Sequence, residues 1–190
     1  MAWPPLYILR HGETEWNAEN RLQGRFDSPL TARGKAQALS QRAALAGRDL
    51  TGVSATTSPQ GRAFHTASLA LEGLVSDIQT DPRLREIGVG EWAGERRDVL
   101  MKKAPQATDT FDLYACAPGG EGFDALEERC HAFLSDLTGP AVLVTHGITS
   151  RMLRVILLGR GKQALTEIEG GQGVVFHLEN GQQHVLSDRG

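Results

Sequence analysis

Leu6-Tyr7-Ile8-Leu9-Arg10-His11-Gly12-Glu13 decides the reading of this chain. An apolar run stops at an arginine, a histidine and a glycine, and Glu13-Thr14-Glu15-Trp16-Asn17 follows. A run that is apolar throughout predicts a strand buried on both faces, and open α/β sheets bind ligands beyond the C-terminal ends of such strands. A guanidinium beside an imidazole at that end suits a phosphate. The guanidinium grips oxygens as a fork, and the imidazole can attack phosphorus or move a proton. Gly12 is expected to let the backbone pass close to the anion.

Downstream, strand-like and helix-like segments alternate. A loop rich in Asn, Arg and Gly runs from Asn17 to Ser28, and Thr31 is placed to cap a helix with Ala36, Leu39, Ala43, Ala44 and Ala46 on its apolar side. Residues 53–57 read as a short strand, with a helix from Ser58-Pro59 to about Gly73, and Ile78–Thr80 reads as a further strand. From Trp92 to Gly122 the pattern is irregular, with a helical piece near Arg96–Lys103. Residues 123–137 form an amphipathic helix that lines up Leu126, Cys130, Phe133, Leu134 and Leu137. Ala141-Val142-Leu143-Val144-Thr145 is the plainest buried strand; His146-Gly147 ends it, and a helix follows over 148–158. Asn180-Gly181 joins Val174–Leu178 to His184–Leu186 as a hairpin. The alternation predicts one domain over residues 1–190. Its fold class is α/β, a three-layer αβα sandwich whose mostly parallel central sheet carries an antiparallel edge.

Polar residues recur at one kind of place: Arg10-His11-Gly12, Ser58-Pro59-Gln60-Gly61-Arg62 and His146-Gly147 each follow a strand. If those strands are parallel neighbours, their ends gather two arginines, two histidines and several helix N-termini around one crevice, which favours an anion.

A chain of 190 residues buries about 70% of the surface its unfolded form exposes. The net charge of -3 argues against a nucleic-acid partner, so an anion site must be locally positive on a mildly acidic body. No apolar run approaches the roughly 20 residues that span a bilayer, and the N-terminus does not read as a signal peptide. Cys116 and Cys130 read as reduced thiols. The expectation is a cytoplasmic protein with no membrane partner, and nothing in the sequence specifies an oligomeric state. His131, His177 and His184 lack partners at metal-ligand spacing and read as structural, and His65 reads as a packing or supporting group.

The chain resembles the histidine phosphatase superfamily, the phosphoglycerate mutase-like fold. The resemblance rests on Leu9-Arg10-His11-Gly12-Glu13-Thr14 with Asn17, on Gln23-Gly24, Asp27, Pro29-Leu30-Thr31 and Gly34, and on Ser58-Pro59 with Arg62 and Thr66-Ala67. It continues through Leu84-Arg85-Glu86-Ile87, Gly90-Glu91-Trp92, Gly94, Pro118-Gly119-Gly120-Glu121 and Val144-Thr145-His146-Gly147. It implies that His11 is a nucleophile forming a phosphohistidine, with Arg10, Arg62, His146 and Asn17 on the phosphoryl oxygens and the Gly147 N–H as a further donor. Glu86 is implied as general acid, and Thr14, Gln23 and Gly24 as substrate-binding residues. No metal or cofactor is implied, and the partner is a phosphorylated small molecule.

Within the resemblance, cofactor-dependent mutases are longer, with a central insertion and an extended C-terminal tail. This chain has neither, which favours hydrolysis over phosphoryl return. A non-catalytic phosphate-binding protein is a third reading, against which both His11 and Glu86 stand. The loop after Asn17 is similar to that of members acting on α-ribazole phosphate and small phosphorylated metabolites. Trp92, Phe111 and Tyr114 could wall the leaving group, Arg97 could reach it, and Arg21 and Arg25 lie in the loop expected to select it. One departure is Gly122, where a hydroxyl residue commonly follows the Gly-Gly-Glu element, so the next helix is expected to begin at Gly122 itself or to use Asp124.

Overall fold

The computed structural model describes residues 3–188. Six strands form one sheet: β1 (Leu6–Arg10), β2 (Ser54–Thr57), β3 (Gln79–Thr80), β4 (Ala141–Thr145), β5 (Val175–Glu179) and β6 (Gln182–Leu186). Their order is β3-β2-β4-β1-β5-β6. β1, β2, β3 and β4 run parallel, and β5 and β6 add antiparallel strands on the far side of β1. Asn180 and Gly181 both take positive φ, the conformation a two-residue hairpin turn demands.

Alternation along the strands divides the core. Leu6, Ile8, Ala141 and Leu143 face one cluster, which contains apolar residues of α6 (Gly122–Ser135) and α7 (Gly147–Leu157) and of the irregular excursion. Leu9, Val142, Val144 and Val175 face a second cluster with α2 (Ala32–Ala46) and α3 (Gly61–Ala70). The result is helices over both faces of a mixed sheet. α1 (Glu15–Ala18), α4 (Arg97–Lys103) and α5 (Leu113–Cys116) are short pieces at the strand C-terminal end and in the excursion. No helix among the described residues is long and apolar enough to cross a membrane.

Local differences from the sequence reading have physical reasons. α2 turns Gly34, Ala38, Gln41, Ala44 and Leu45 inward, whereas Leu39 is 50% exposed. Gln41 is buried because its amide donates to the carbonyls of Arg10 and Val174 at 2.9 and 3.1 Å, which ties the helix to the end of β1. α3 starts at Gly61 because Ser58 still belongs to the sheet, its N–H donating to Val144. α6 begins at Gly122, with no side-chain cap. His65 is exposed.

Gly12 serves a neighbour other than the expected anion. A Cβ there would lie 2.1 Å from the Gly34 carbonyl oxygen, and a Cβ on Gly34 would lie 2.0 Å from that of Glu13. Two backbones therefore touch where the loop after β1 crosses the start of α2. Alanine is intrinsically better than glycine in a helix by about 1 kcal/mol. Collision with backbone that cannot swing aside outweighs this, so Gly34→Ala is expected to lower unfolding free energy by about 1–3 kcal/mol net. Urea unfolding of the two proteins measures it; an unchanged midpoint would show that the contact is slack.

Candidate active site

Parallel pairing of β1 with β4 sets Arg10 opposite Thr145, so the residues that follow, His11 and His146, emerge side by side. The His11 N–H donates to the Thr145 carbonyl at 2.9 Å, and the two rings meet edge to face, centroids 5.2 Å apart. Both imidazoles are buried. His11 Nδ1 lies 2.7 Å from the Gly12 carbonyl oxygen. A carbonyl can only accept, so Nδ1 carries the proton and Nε2 keeps its lone pair.

His146 is fixed differently. Its Nε2 lies 2.8 Å from Ser58 Oγ, and its buried Nδ1 has no partner among the described residues. Burial first, then Arg62, His11 and Arg10, hold His146 well below the usual imidazole range. Burial, Arg62 and Arg10 do the same for His11, against the opposing Gly12 hydrogen bond. In the tautomer where the Ser58 hydroxyl donates to Nε2, the neutral His146 ring presents Nδ1–H as a donor.

Arg62 is 2% exposed, yet its guanidinium is held by the carbonyls of Phe26 (2.7 Å) and Gly24 (3.1 Å) and by Asp27 (2.6 Å). Asp27 also accepts from the Gly61 and Arg62 N–H groups, which caps α3 and locks the arginine with one carboxylate. Arg62 Nε and Arg10 Nε join His146 Nδ1 as buried donors with no acceptor among the described residues. Unpaired buried polar atoms are costly, and three donors of one kind together mark the place of an anion.

Glu86 lies on the other side. Its carboxylate accepts from the N–H groups of Ile87, Ile148 and Thr149 at 3.0, 3.2 and 3.1 Å. The first turn of α7 therefore holds Glu86 in place. Ser150 N–H donates to the His146 carbonyl, and Gly147, the first residue of α7, has an N–H with no intrahelical acceptor. Gly147 stacks on Arg10, where a Cβ would sit 3.4 Å from the guanidinium carbon.

Arg10, His11, Asn17, Gln23, Gly24, Arg62, Glu86 and Gly147 thus line one cavity. His146, fully buried, lies outside that lining, and so does Thr14, because its hydroxyl accepts from Asn17 N–H and Gln23 Nε2 and caps α1. It supports the loop rather than facing a ligand. The Asn17 side-chain Oδ1 accepts from Thr14 N–H and Gln172 Nε2, which turns its amide nitrogen to the free side. Trp92 is buried in the core, away from the lining, whereas Phe111, Tyr114 and Arg97 do line the cavity.

Several participants escape sequence reasoning. Gln172 reaches back to the His11 carbonyl at 3.1 Å. Gln60 donates to Gly24 and accepts from Glu86 N–H, tying two walls together. Arg151, on α7 five residues after His146, lines the cavity and has only its helical phase as a sequence signal. Among the described residues, no group of three or more His, Cys, Asp or Glu side chains is placed to hold a metal ion.

A buried cradle of two imidazoles and two guanidinium groups beyond the C-terminal ends of parallel strands is the anion-binding arrangement of a phosphoryl-handling class, and the chain belongs to the histidine phosphatase superfamily (branch 1), whose model matches residues 6–187. Among curated relatives, the probable phosphoglycerate mutase GpmB of Salmonella paratyphi C is 36% identical over 166 residues, 81% of this chain and 74% of its own. Solved structures that resemble it include a putative alpha-ribazole-5'-P phosphatase from Escherichia coli (TM-score 0.81, 27% identity, 97% and 96% of the two chains). Bacillus stearothermophilus YhfR aligns with TM-score 0.80 and 31% identity over 96% and 95%. A mycobacterial glucosyl-3-phosphoglycerate phosphatase solved with VO3 gives 0.79 and 26% over 97% and 96%.

Two buried neutral histidines make stability depend on pH in one direction. The unfolded chain takes up protons at these rings below about pH 6.5 and the native state does not, so stability falls as pH drops from there toward the lowered native values. Together they are expected to remove about 2 kcal/mol between pH 6.5 and 5.5, and His146→Gln is expected to roughly halve that loss. Unfolding free energies of both proteins at the two pH values check this; an unchanged difference would mean His146 is not neutral in the fold.

Proposed function

We propose that this protein is a metal-independent phosphatase that hydrolyses phosphomonoesters of small metabolites through a phosphohistidine on His11. The observation that carries the reading is the Nε2 lone pair of His11, set by Nδ1–H on Gly12, in a cavity shared with Arg10 and Arg62, whose Nε atoms have no partner among the described residues. The Nε2 lone pair attacks phosphorus and forms the P–N bond as the ester P–O bond breaks, with Glu86 giving its proton to the departing oxygen. Water then loses a proton to Glu86 as it attacks phosphorus, the P–N bond breaks, and His11 returns to its first state. Arg10, Arg62, His146 Nδ1–H and Asn17 hold the equatorial oxygens throughout, so charge develops among groups already oriented toward it. Arginine supplies the positive charge that a metal ion would otherwise bring.

A second reading, transfer to another hydroxyl of the substrate, is favoured by the relative named as a probable mutase. It needs a phosphoenzyme kept from water. The cavity wall here includes Thr110, which is solvent-exposed, and this supports hydrolysis.

With a phosphomonoester panel and EDTA present, wild type is expected to release inorganic phosphate, and His11→Ala to lose at least about 10⁴-fold in kcat/KM. Asn17→Ala, which removes one of several donors, is expected to cost about tenfold. Rapid quenching should trap an acid-labile, base-stable phosphoryl label on His11. Isomerisation outpacing phosphate release would select the mutase, and activity abolished by EDTA would sink the metal-free route.

A further inference from the structure

Glu86 is held at its tip by the first turn of α7, but the backbone that carries it is held by side chains from other elements. The Thr145 hydroxyl on β4 donates to the Leu84 carbonyl at 2.6 Å, the Thr149 hydroxyl on α7 donates to that of Arg85 at 2.7 Å, and Gln60 accepts from Glu86 N–H at 2.8 Å. The two ends of the segment, Arg83 and Gly88, go to one ion pair. Arg129 Nη1 donates to the Arg83 carbonyl at 2.5 Å. Glu121 Oε2 accepts from Gly88 N–H at 3.0 Å, and Glu121 N–H donates to the Gly88 carbonyl at 2.8 Å. Arg129 and Glu121 in turn meet as a fork, Nε to Oε1 at 2.5 Å and Nη2 to Oε2 at 3.0 Å. Neither residue lines the cavity.

Only 11% and 13% of the two side chains is exposed, and desolvation of two charges offsets most of their attraction. Stability alone therefore accounts poorly for the pair. Geometry accounts for it better. Glu121 immediately precedes α6 and Arg129 lies two turns along that helix, so one rigid element sets their spacing. Gly88 admits the contact closely, since a Cβ there would stand 3.3 Å from that of Glu121. Burial pushes the Glu121 carboxyl up, but hydrogen bonds from Arg129 and Gly88 outweigh it and hold the group below its usual range, so the pair is charged at neutral pH. A general acid must lie within hydrogen-bond reach of the leaving oxygen, and a displacement of about 1 Å can cost on the order of 10²-fold in rate. The segment that carries Glu86 is thus clamped at both ends by a brace outside the cavity.

We propose that Glu121 and Arg129 are positioning residues for Glu86, their ion pair setting where its carboxylate stands against the leaving-group oxygen. This rests on the proposed role of Glu86 as proton donor, and Glu86→Gln tests that role by itself. Phosphate release is measured from 4-nitrophenyl phosphate, whose phenolate leaves as a stable anion, and from 4-nitrobenzyl phosphate, whose alkoxide requires a proton. The esters are similar in bulk, and kcat/KM covers only the steps up to phosphorylation of His11, so the ratio between them reads proton donation rather than fit. Arg129→Met is expected to lose about tenfold or more on the benzyl ester and less than about threefold on the phenyl ester. Glu121→Gln, which keeps an acceptor for Gly88 N–H, is expected to shift the ratio in the same direction by less, and Arg129→Lys to recover part of the Arg129→Met loss. Equal losses on both esters in the Arg129 and Glu121 variants would make the pair structural and overturn the proposal, as would wild-type rates on both. If Arg129→Met does not fold, the Glu121→Gln ratio decides alone. A Glu86→Gln protein that loses both esters equally would remove the proton-donor reading and the brace's purpose with it. A selective loss there, with none in the variants of the pair, would strike down the brace alone.

Discussion

The pairing of β1 with β4 is the constraint from which the site follows. Parallel strands in register end together, so Arg10-His11 and Thr145-His146 leave the sheet at one level and in one direction. The backbone bond from His11 to Thr145 extends that register one residue past the strand. Two imidazoles that are 135 positions apart in sequence thereby come into edge-to-face contact without any loop having to bring them there. α7 then starts at once, and its first turn clasps Glu86 opposite the histidines.

Around that pair the protein keeps positive charge in place by surrounding it with carbonyl oxygens. Arg62 is clasped by Phe26, Gly24 and Asp27, and the buried Arg154 is served by the carbonyls of Ser150 and Glu169, by the Gln183 side chain and by the Phe176 face at 3.7 Å. The two arginines differ in what they leave unmet. Arg62 keeps one donor without a partner beside the histidines, whereas Arg154 lies away from the cavity lining and braces α7 against the loop before β5. Fixed donors of this kind need no rearrangement when an anion arrives, which is the physical content of preorganisation.

The sheet was legible because strands buried on both faces are apolar without alternation, and Leu6–Leu9 and Ala141–Val144 show that plainly. The polar residues just beyond them were legible for the same reason, since they interrupt the pattern. The inward face of α2 was not, because hydrophobic spacing alone favours Leu39, while the fold buries the polar Gln41 for the two carbonyls it satisfies. Thr14 reads as a ligand contact from its neighbours in sequence, but its hydroxyl is committed to the loop's own geometry. Gln60, Gln172 and Arg151 carry no distinguishing local pattern. Their roles arise from contacts with residues 26 to 161 positions away or from helical phase, which only tertiary structure supplies.

The position of β1 also bears on how the chain acquires its shape. β1 takes the middle of the sheet, between β4 and β5, so both of its neighbours lie more than 130 residues downstream. Until residues near 178 have left the ribosome, Leu6–Leu9 can satisfy neither its hydrogen-bonding edges nor its two apolar faces. Non-local closure of this kind slows folding and leaves a sticky segment uncovered in the meantime. A nascent chain of this protein therefore carries His11 next to an apolar stretch that stays uncovered, and the two imidazoles come together only once β4 is available to pair with β1.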